Sequence, residues 1–281
     1  MIKGRVALQS NNPREAWNFI RMATFTMPGG DEPTVPILDL NNYFASVVQS
    51  NQQSQTLAPP SCELVDGFQF ESLSIGSVEK ALTAISPRTA AGHDQIPGIL
   101  LKNLATAIAP NITTIFNCSL SDSHFPSVWK MANITPVYKN KGSKDDPSNY
   151  RPISVLPIIA RIFEKLVAYQ LYNYCEQHMV IPKEQFGFRR SSSCETALIS
   201  ATNRWYQELD SGNYVGVLLL DLSKAFDTVS HQGILNELTH IGCSPRTVAW
   251  FASYLTDRLQ RTIHHRDTTP WQTVTRGVPQ G

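Results

Sequence analysis

The sequence predicts an α+β fold. Apolar residues first recur at helical spacing, and short apolar or alternating runs typical of strands follow, mixed with further helices. This order differs from the regular alternation of strand and helix that builds a parallel sheet. A length of 281 residues with 42% hydrophobic and 17% charged residues is sufficient for a sizeable core.

Residues 1–75 are predicted to form a loosely ordered, linker-like N-terminal region. The stretches TMPGGDEPTVP and QSNQQSQTLAPPS are rich in proline, glycine, glutamine and serine. NNPREAWNFIRMA and ILDLNNYFASVVQ are predicted as short helices between them. The character of the sequence changes near Ser77, so residues 76–281 are predicted to form the folded domain.

The first half of this domain is predicted to be mainly helical. SVEKALTAI is a short amphipathic helix, and PGILLKNLATAIAPNITTIFNCSL is predicted as two helices separated at Pro110. ANITPVYK reads as a strand and NKGSKDDPSN as a polar turn. YRPIS is extended, and a long helix follows with Ile159, Ile162 and Phe163 on its apolar face.

The second half mixes helices and strands. ETALISATNRWYQELD is a predicted helix, and YVGVLLLDL (214–222) is predicted as a buried strand because it is almost uniformly apolar. HQGILNELTHIG and SPRTVAWFASYLTDR are helices, the second with serine as its cap and proline in its first turn. LQRTIHH and TPWQTVTRGV are predicted as short strands.

Composition excludes several classes of protein. The five cysteines are odd in number and never form a CxxC pair, which argues against a disulfide framework and against structural zinc. No apolar run reaches the roughly 18 residues of a membrane span, and MIKGRVALQS lacks the apolar core of a signal peptide. An intracellular protein without a membrane partner is therefore expected.

Charge is unevenly distributed along a chain whose net charge is +1. Residues 127–190 contain ten lysines and arginines against five acidic residues, whereas both flanking regions have a slight acidic excess. A basic block in a neutral chain favours contact with a polyanion.

Asp221 ends the apolar run of 214–222. A carboxylate after a buried strand is costly unless it is paired, hydrogen-bonded or bound to a metal. A lone aspartate at this place would most simply cap the following turn. Phe226 and Asp227 follow at a spacing that suggests more than a cap.

Five blocks of sequence, in order, resemble the reverse transcriptases of non-LTR (LINE-type) retrotransposons. The most telling is DLSKAFDTV, which is similar to the first catalytic motif of that family. The other blocks are AAGHDQIPGILLK (90–102), WKMANITPVYKNKGSKDDPSNYRPISVLPIIARIFEKLV (129–167), QFGFRRSSSCETAL (185–198) and RGVPQG (276–281). The resemblance covers roughly residues 76–281 and implies the fingers and an incomplete palm of a right-hand polymerase.

The resemblance implies polymerisation of DNA on an RNA template with two Mg²⁺ ions, or Mn²⁺ in their place. Asp221 would be a catalytic metal ligand, together with the backbone carbonyl of Leu222. Phe226 would lie under the incoming sugar and favour deoxynucleotides, with core packing as the alternative. Asp227 would be a structural partner of a nearby backbone or basic group.

Other residues match the family's contacts to nucleotide and template. Arg151 would hold the triphosphate through a bidentate fork, and Lys144 would accompany it, although Lys139 and Lys141 compete for this role. Gln280 would touch the nucleotide. Arg189 and Arg190 would contact template phosphates. The implied partners are an RNA template, a DNA primer and deoxynucleoside triphosphates, and the implied locations are nucleus and cytoplasm.

The family's second aspartate motif is not found in this sequence. No Asp-Asp pair follows Asp221, and the sequence reaches Gly281 at the last letter of the RGVPQG block. Palm hairpin, thumb and upstream endonuclease are therefore expected to be absent, and the chain alone is expected to be inactive. The alternatives are a non-enzymatic, nucleic-acid-binding remnant of a decayed element, and an aspartyl-phosphate enzyme. The latter lacks its usual second aspartate, since Ser223 stands there.

Overall fold

The computed structural model describes residues 33–48, 67–222, 224–264 and 267–280. Within them, helices pack against a small mixed sheet, which agrees with the predicted α+β class. Strand β1 (Met131–Tyr138) lies between β2 (Tyr150–Val155), which is antiparallel to it, and β3 (Arg258–His264), which is parallel. Strands β4 (Asp267–Thr268) and β5 (Gln272–Val274) both pair antiparallel with β3.

The helices account for most of the remaining described residues. In chain order they are α1 (Ile37–Val48), α2 (Ile75–Thr83), α3 (Gly98–Asn103), α4 (Ala105–Ser121), α5 (Ile158–Gln177), α6 (Cys194–Asp210), α7 (Ala225–Thr228), α8 (His231–His240) and α9 (Pro245–Leu255). Most of the predicted helices and strands are confirmed. Within the described residues, no helix combines the length and apolar character needed to cross a bilayer.

The main core is built by α2 to α5 together with Trp250 of α9. Phe163 of α5 is its centre, since its ring stacks on Phe116 at 4.3 Å and lies edge-on to Trp250 at 5.5 Å. The apolar face predicted for this helix is thus confirmed at Ile159, Ile162 and Phe163, all of which are buried. This aromatic cluster anchors the helices behind the sheet.

A second core joins α1 to the sheet, with Leu40 and Phe44 packed near Ile134 and Tyr150. The buried Asn41 fixes the register of α1 on β3, because its Oδ1 accepts hydrogen bonds of 3.0 Å from both the backbone N–H and the hydroxyl of Thr262. Satisfying a buried amide in this way leaves little freedom for the helix to slide.

The start of α9 follows the predicted capping pattern. The Ser244 hydroxyl accepts from the Thr247 N–H, and Pro245 occupies the first turn, where its missing N–H costs nothing.

The predicted break at Pro110 is wrong. The helix α4 runs through Pro110, and the two helices instead meet at Leu104, which ends α3 and begins α4. A proline inside a helix removes one hydrogen bond. The continuous buried face of Ala105, Ala109, Thr113 and Phe116 offsets that loss by packing on the core.

The prediction of a buried strand at 214–222 is also wrong. The segment has no regular secondary structure, and its leucines are exposed, Leu219 by 89%. A strand needs a neighbour to bond its N–H and C=O groups, and no described strand of this chain pairs with the segment. The apolar composition of the segment does not by itself provide a pairing strand.

Part of the predicted N-terminal region is ordered. Helix α1 packs on the sheet, and Phe68 forms backbone hydrogen bonds with Gly242 and Ser244. NNPREAWNFIRMA and most of the two polar stretches lie outside the described residues. The boundary at residue 75 stays a prediction. Cys118, Cys175, Cys194 and Cys243 are free thiols.

Candidate functional site

A cavity of about 390 Å³ opens between α1, the sheet, α7 and the segment after β5. Five of the residues predicted from motifs line it, although they come from three separate parts of the chain: Arg151, Asp221, Leu222, Phe226 and Gln280. Arg151 lies on β2, and Asp221 and Leu222 precede α7. The cavity is therefore the candidate functional site.

The segment 275–280 is attached to its neighbours by backbone hydrogen bonds. The carbonyl of Gln280 accepts from Ser154 of β2 at 2.6 Å, and the N–H of Val278 donates to Phe226 at 2.8 Å. These bonds bring the RGVPQG block against the DLSKAFDTV block. The two motifs therefore form one wall of the cavity.

Gly277 is the point of closest approach between these motifs. Its φ is +78°, and a Cβ built there would lie 2.6 Å from the carbonyl oxygen of Asp227. Its own carbonyl accepts a 2.7 Å hydrogen bond from Nε2 of the buried His231. Burial lowers the pKa of His231, so the ring is neutral at pH 7 and Nε2 carries the proton that it donates.

The charges around the cavity are mainly positive. Lys139, Arg151, Lys224, Arg258 and Arg276 line it, against the carboxylates of Asp221 and Asp227. Burial raises the pKa of Asp227, and the nearby Lys224 and Lys139 act in the opposite direction. Such a positively lined concavity attracts anions.

Arg258 forms part of the cavity floor and is almost fully buried. Its guanidinium lies over the ring of Tyr254 at 4.8 Å, and Nη1 donates to the Tyr254 carbonyl at 3.0 Å. The neighbouring Glu164 is half-buried, and desolvation raises the pKa of its carboxyl group. These groups connect the floor of the cavity to the helical core.

Phe226 is partly exposed in the cavity wall and is not a core residue. Its ring meets that of Phe188 edge to face at 5.9 Å. Phe188 belongs to the GFRR block and is itself 94% exposed. The pair brings a third motif to the edge of the cavity.

The lysines between β1 and β2 differ in their position relative to the cavity. Lys139 lines the cavity and donates from Nζ to the Ser148 carbonyl at 2.6 Å. Lys144 is not among the lining residues, and its Nζ lies 5.8 Å from the centre of the Tyr138 ring. The assignment of the nucleotide lysine to Lys144 stays a prediction. Of its two competitors, Lys139 and Lys141, only Lys139 is among the residues that line the cavity.

Arg189 and Arg190 lie outside the cavity and bind side chains of α5. Arg189 forms a two-pronged pair with Glu176, with both N–O distances 2.9 Å. The guanidinium of Arg190 lies 4.8 Å from the rings of both Tyr169 and Tyr172. A template role for either arginine stays a prediction.

Among the cavity residues that motif reasoning did not single out are Tyr43 of α1, Lys224 and Arg258. Lys224 stands inside DLSKAFDTV, so its position could have drawn attention to it. Tyr43 and Arg258 carry no such signal, because only the packing of α1 and β3 brings them to the cavity.

The oxygen atoms that the chain offers at the cavity are of the kind that a hard divalent cation binds, but they are too few to complete its coordination. Asp221 and the Leu222 carbonyl are oxygen donors, as Mg²⁺ prefers. No three His, Cys, Asp or Glu side chains of the described part of the chain gather closely enough to hold a metal ion. A cation at this cavity would need further oxygen ligands from a bound substrate.

Comparison with known proteins identifies the family. The family model described as reverse transcriptase (RNA-dependent DNA polymerase) matches residues 138–281. A probable RNA-directed DNA polymerase from transposon X-element of Drosophila melanogaster is 32% identical over 204 residues, 73% of this chain and 22% of that protein. Its counterpart from transposon BS of the same species is 28% identical over 239 residues, 85% of this chain and 26% of that protein.

A third relative extends the match along the chain. The RNA-directed DNA polymerase from mobile element jockey of Drosophila melanogaster is 25% identical over 254 residues, 87% of this chain and 28% of that protein. The chain thus spans about a quarter of the length of these curated relatives. It belongs to the reverse transcriptase family, in the form carried by non-LTR retrotransposons.

Proposed function

We propose that the chain supplies the nucleotide-binding part of an RNA-directed DNA polymerase, arranged as the fingers and part of the palm of a right-hand enzyme. The observation that carries this proposal is the convergence of Arg151, Asp221, Phe226 and Gln280 on one positively lined cavity. A deoxynucleoside triphosphate carries the negative charge and the oxygen atoms that such a cavity favours.

Each residue has a distinct role in the proposal. Arg151 and one lysine of the preceding stretch, Lys144 or its competitors Lys139 and Lys141, bind phosphate oxygens. Phe226 lies under the sugar, where its ring would clash with a 2′-hydroxyl. Gln280, held at the cavity by its bond to Ser154, contacts the nucleotide.

Asp221 and the carbonyl of Leu222 would hold Mg²⁺ or Mn²⁺ together with oxygens of the triphosphate. When bound, a pair of such ions activates the primer hydroxyl and stabilises the leaving pyrophosphate. Because this chain supplies few ligands, the nucleotide is needed for the cation to bind.

The other proposed partners are those that RNA-directed DNA polymerisation by the longer protein would require. An RNA template and a DNA primer would approach across the mouth of the cavity, and Arg189 and Arg190 would contact template phosphates without reading sequence. Action in the nucleus and cytoplasm follows from the same proposal.

Nucleotide binding tests the proposal directly. We expect the chain to bind a deoxynucleoside triphosphate in the presence of Mg²⁺, and Arg151→Ala to weaken binding about tenfold to a hundredfold, because charge-assisted hydrogen bonds contribute about 1.5–3 kcal/mol each. Isothermal titration with dTTP measures both. Arg204→Ala, at an exposed position on α6, is the matched control and should not change the affinity. Equal affinities of Arg151→Ala and the unmodified chain would refute the assignment.

We expect no primer extension by this chain alone, with Mg²⁺ or with Mn²⁺. Its sequence provides Asp221 but no later Asp-Asp pair, and removing members of a catalytic set abolishes most of the rate. Incorporation of labelled dTTP on a poly(rA) template with an oligo(dT) primer measures this. Incorporation that disappears in Asp221→Ala would contradict the expectation.

A further inference from the structure

Helix α1 forms one wall of the candidate nucleotide cavity although it lies outside residues 138–281, which the family model matches. Tyr43, Phe44, Val47 and Val48 of this helix all line the cavity. The sequence of α1 contains none of the motifs that resemble the reverse transcriptase family. Its contacts with the motif segments indicate what it does there.

One contact joins Tyr43 to Lys224 in the DLSKAFDTV block. The Lys224 ammonium donates a hydrogen bond to the Tyr43 hydroxyl and lies 4.5 Å from the centre of the ring. A hydrogen bond from a charged donor is stronger than one between neutral groups. The contact spans 181 residues of sequence.

Lys224 has an unusual backbone conformation at this contact. Its φ is +54° and its ψ is +38°, in the left-handed region that disfavours residues with a Cβ. Its carbonyl accepts from the N–H groups of Asp227 at 2.9 Å and Thr228 at 3.1 Å. The strained residue therefore orients the turn that carries Phe226.

The C-terminal end of α1 holds the other motif segment. The carbonyl of Val48 accepts from the backbone N–H groups of Thr275 at 3.2 Å and Arg276 at 3.0 Å. It also accepts from the Thr275 hydroxyl at 3.0 Å. The same helix is therefore attached to both blocks that form the far wall of the cavity.

We propose that α1 is a positioning element of the nucleotide site and that Tyr43 is its positioning residue. Tyr43 anchors the Lys224 side chain, which holds residue 224 in the left-handed conformation and sets the place of Asp221 and Phe226 on either side of it. Val48 sets the place of the RGVPQG block. The part of this proposal that concerns nucleotide binding rests on the proposed function; the part that concerns the turn does not.

Hydrogen exchange of the Asp227 and Thr228 amides, without nucleotide, tests the anchor. Tyr43→Leu keeps apolar volume on α1 but removes the hydroxyl, so these two amides should exchange about threefold to fivefold faster. Tyr206→Leu, at an exposed tyrosine of α6, is the control and should leave them unchanged. Exchange within 1.5-fold of the unmodified protein in Tyr43→Leu would overturn the proposal.

Substitution of Lys224 tests the contact between Tyr43 and Lys224 without changing the sequence of α1. Lys224→Ala loses the anchor but keeps the steric strain, whereas Lys224→Gly loses both, since glycine adopts this conformation freely. We expect the two amides to exchange at least fivefold faster in the alanine variant than in the glycine variant. Tyr43→Leu should add nothing in the glycine background. Equal exchange in the two variants would overturn the proposal even if Tyr43→Leu does not fold.

Affinity for dTTP with Mg²⁺ separates this inference from the proposed function. If the turn positions Asp221 and Phe226, then Tyr43→Leu, which keeps every charge of the cavity lining, should weaken binding about threefold or more. A chain that binds no nucleotide would refute the proposed function, while the exchange results would still decide the role of Tyr43. Faster exchange at the turn with unchanged affinity would refute the positioning role.

Discussion

Phe163→Ala is expected to lower the free energy of unfolding by about 3–5 kcal/mol, which is a large part of the 5–15 kcal/mol typical of a domain. The side chain is fully buried, and its ring stacks on Phe116 at 4.3 Å and on Phe125 at 5.9 Å. Removal would leave a cavity at the centre of the aromatic cluster, which the surrounding rings of Trp129 and Trp250 are too rigid to fill.

Urea unfolding followed by tryptophan fluorescence measures the loss, because Trp129 and Trp250 both contact this ring. Phe188→Ala removes the same atoms from a residue that is 94% exposed and should change stability by no more than about 0.5 kcal/mol. Equal losses in the two variants would mean that the cluster around Phe163 does not form the core.

Helix positions were largely predictable because a helix depends on nearby residues. The apolar spacing of 158–177 and the Ser244–Pro245 start of α9 are both properties of short stretches of sequence, and both are confirmed. Pro110 shows the limit of such reasoning. Its local cost is real, but the buried face of α4 continues past it, and tertiary packing decided the outcome.

Strand predictions depend on a partner elsewhere in the chain. ANITPVYK became β1 because β2 and β3 bond both of its edges. The run YVGVLLLDL is more apolar, yet it is exposed because no described strand pairs with it. Hydrophobicity can predict that a segment will be extended, but it does not provide the hydrogen-bonding neighbour.

The candidate site, too, was predictable where it depends on local sequence and unpredictable where it depends on the fold. The motifs predicted which residues have suitable chemistry, and the fold brought Arg151, Asp221 and Gln280 to one cavity. Sequence left Lys139, Lys141 and Lys144 in competition because all three precede Arg151 in one polar stretch; only the path of that stretch places Lys139 at the cavity. Tyr43 was missed because its relevance depends on where α1 packs, 181 residues before Lys224.

Gly277→Ala is expected to cost about 3 kcal/mol of stability and to weaken nucleotide binding at the same time. About 1–2 kcal/mol comes from the left-handed conformation, since φ is +78°. The rest comes from overlap, because the new Cβ would lie 2.6 Å from the Asp227 carbonyl oxygen and 2.8 Å from that of Phe226. These are backbone atoms, so the clash can be relieved only if the RGVPQG segment moves away from the turn of Phe226.

Gly212→Ala separates the two contributions. Its φ of +77° matches that of Gly277, but nothing lies within 4 Å of the added Cβ, so only the conformational cost of about 1–2 kcal/mol should appear. Urea unfolding and titration with dTTP and Mg²⁺ together decide the outcome. If both glycine variants lose the same stability and both keep full affinity, the two motif segments do not meet closely at Gly277. A loss of affinity in Gly277→Ala alone would mean that nucleotide binding depends on the contact between these segments, since the added Cβ meets the backbone of Phe226 and Asp227.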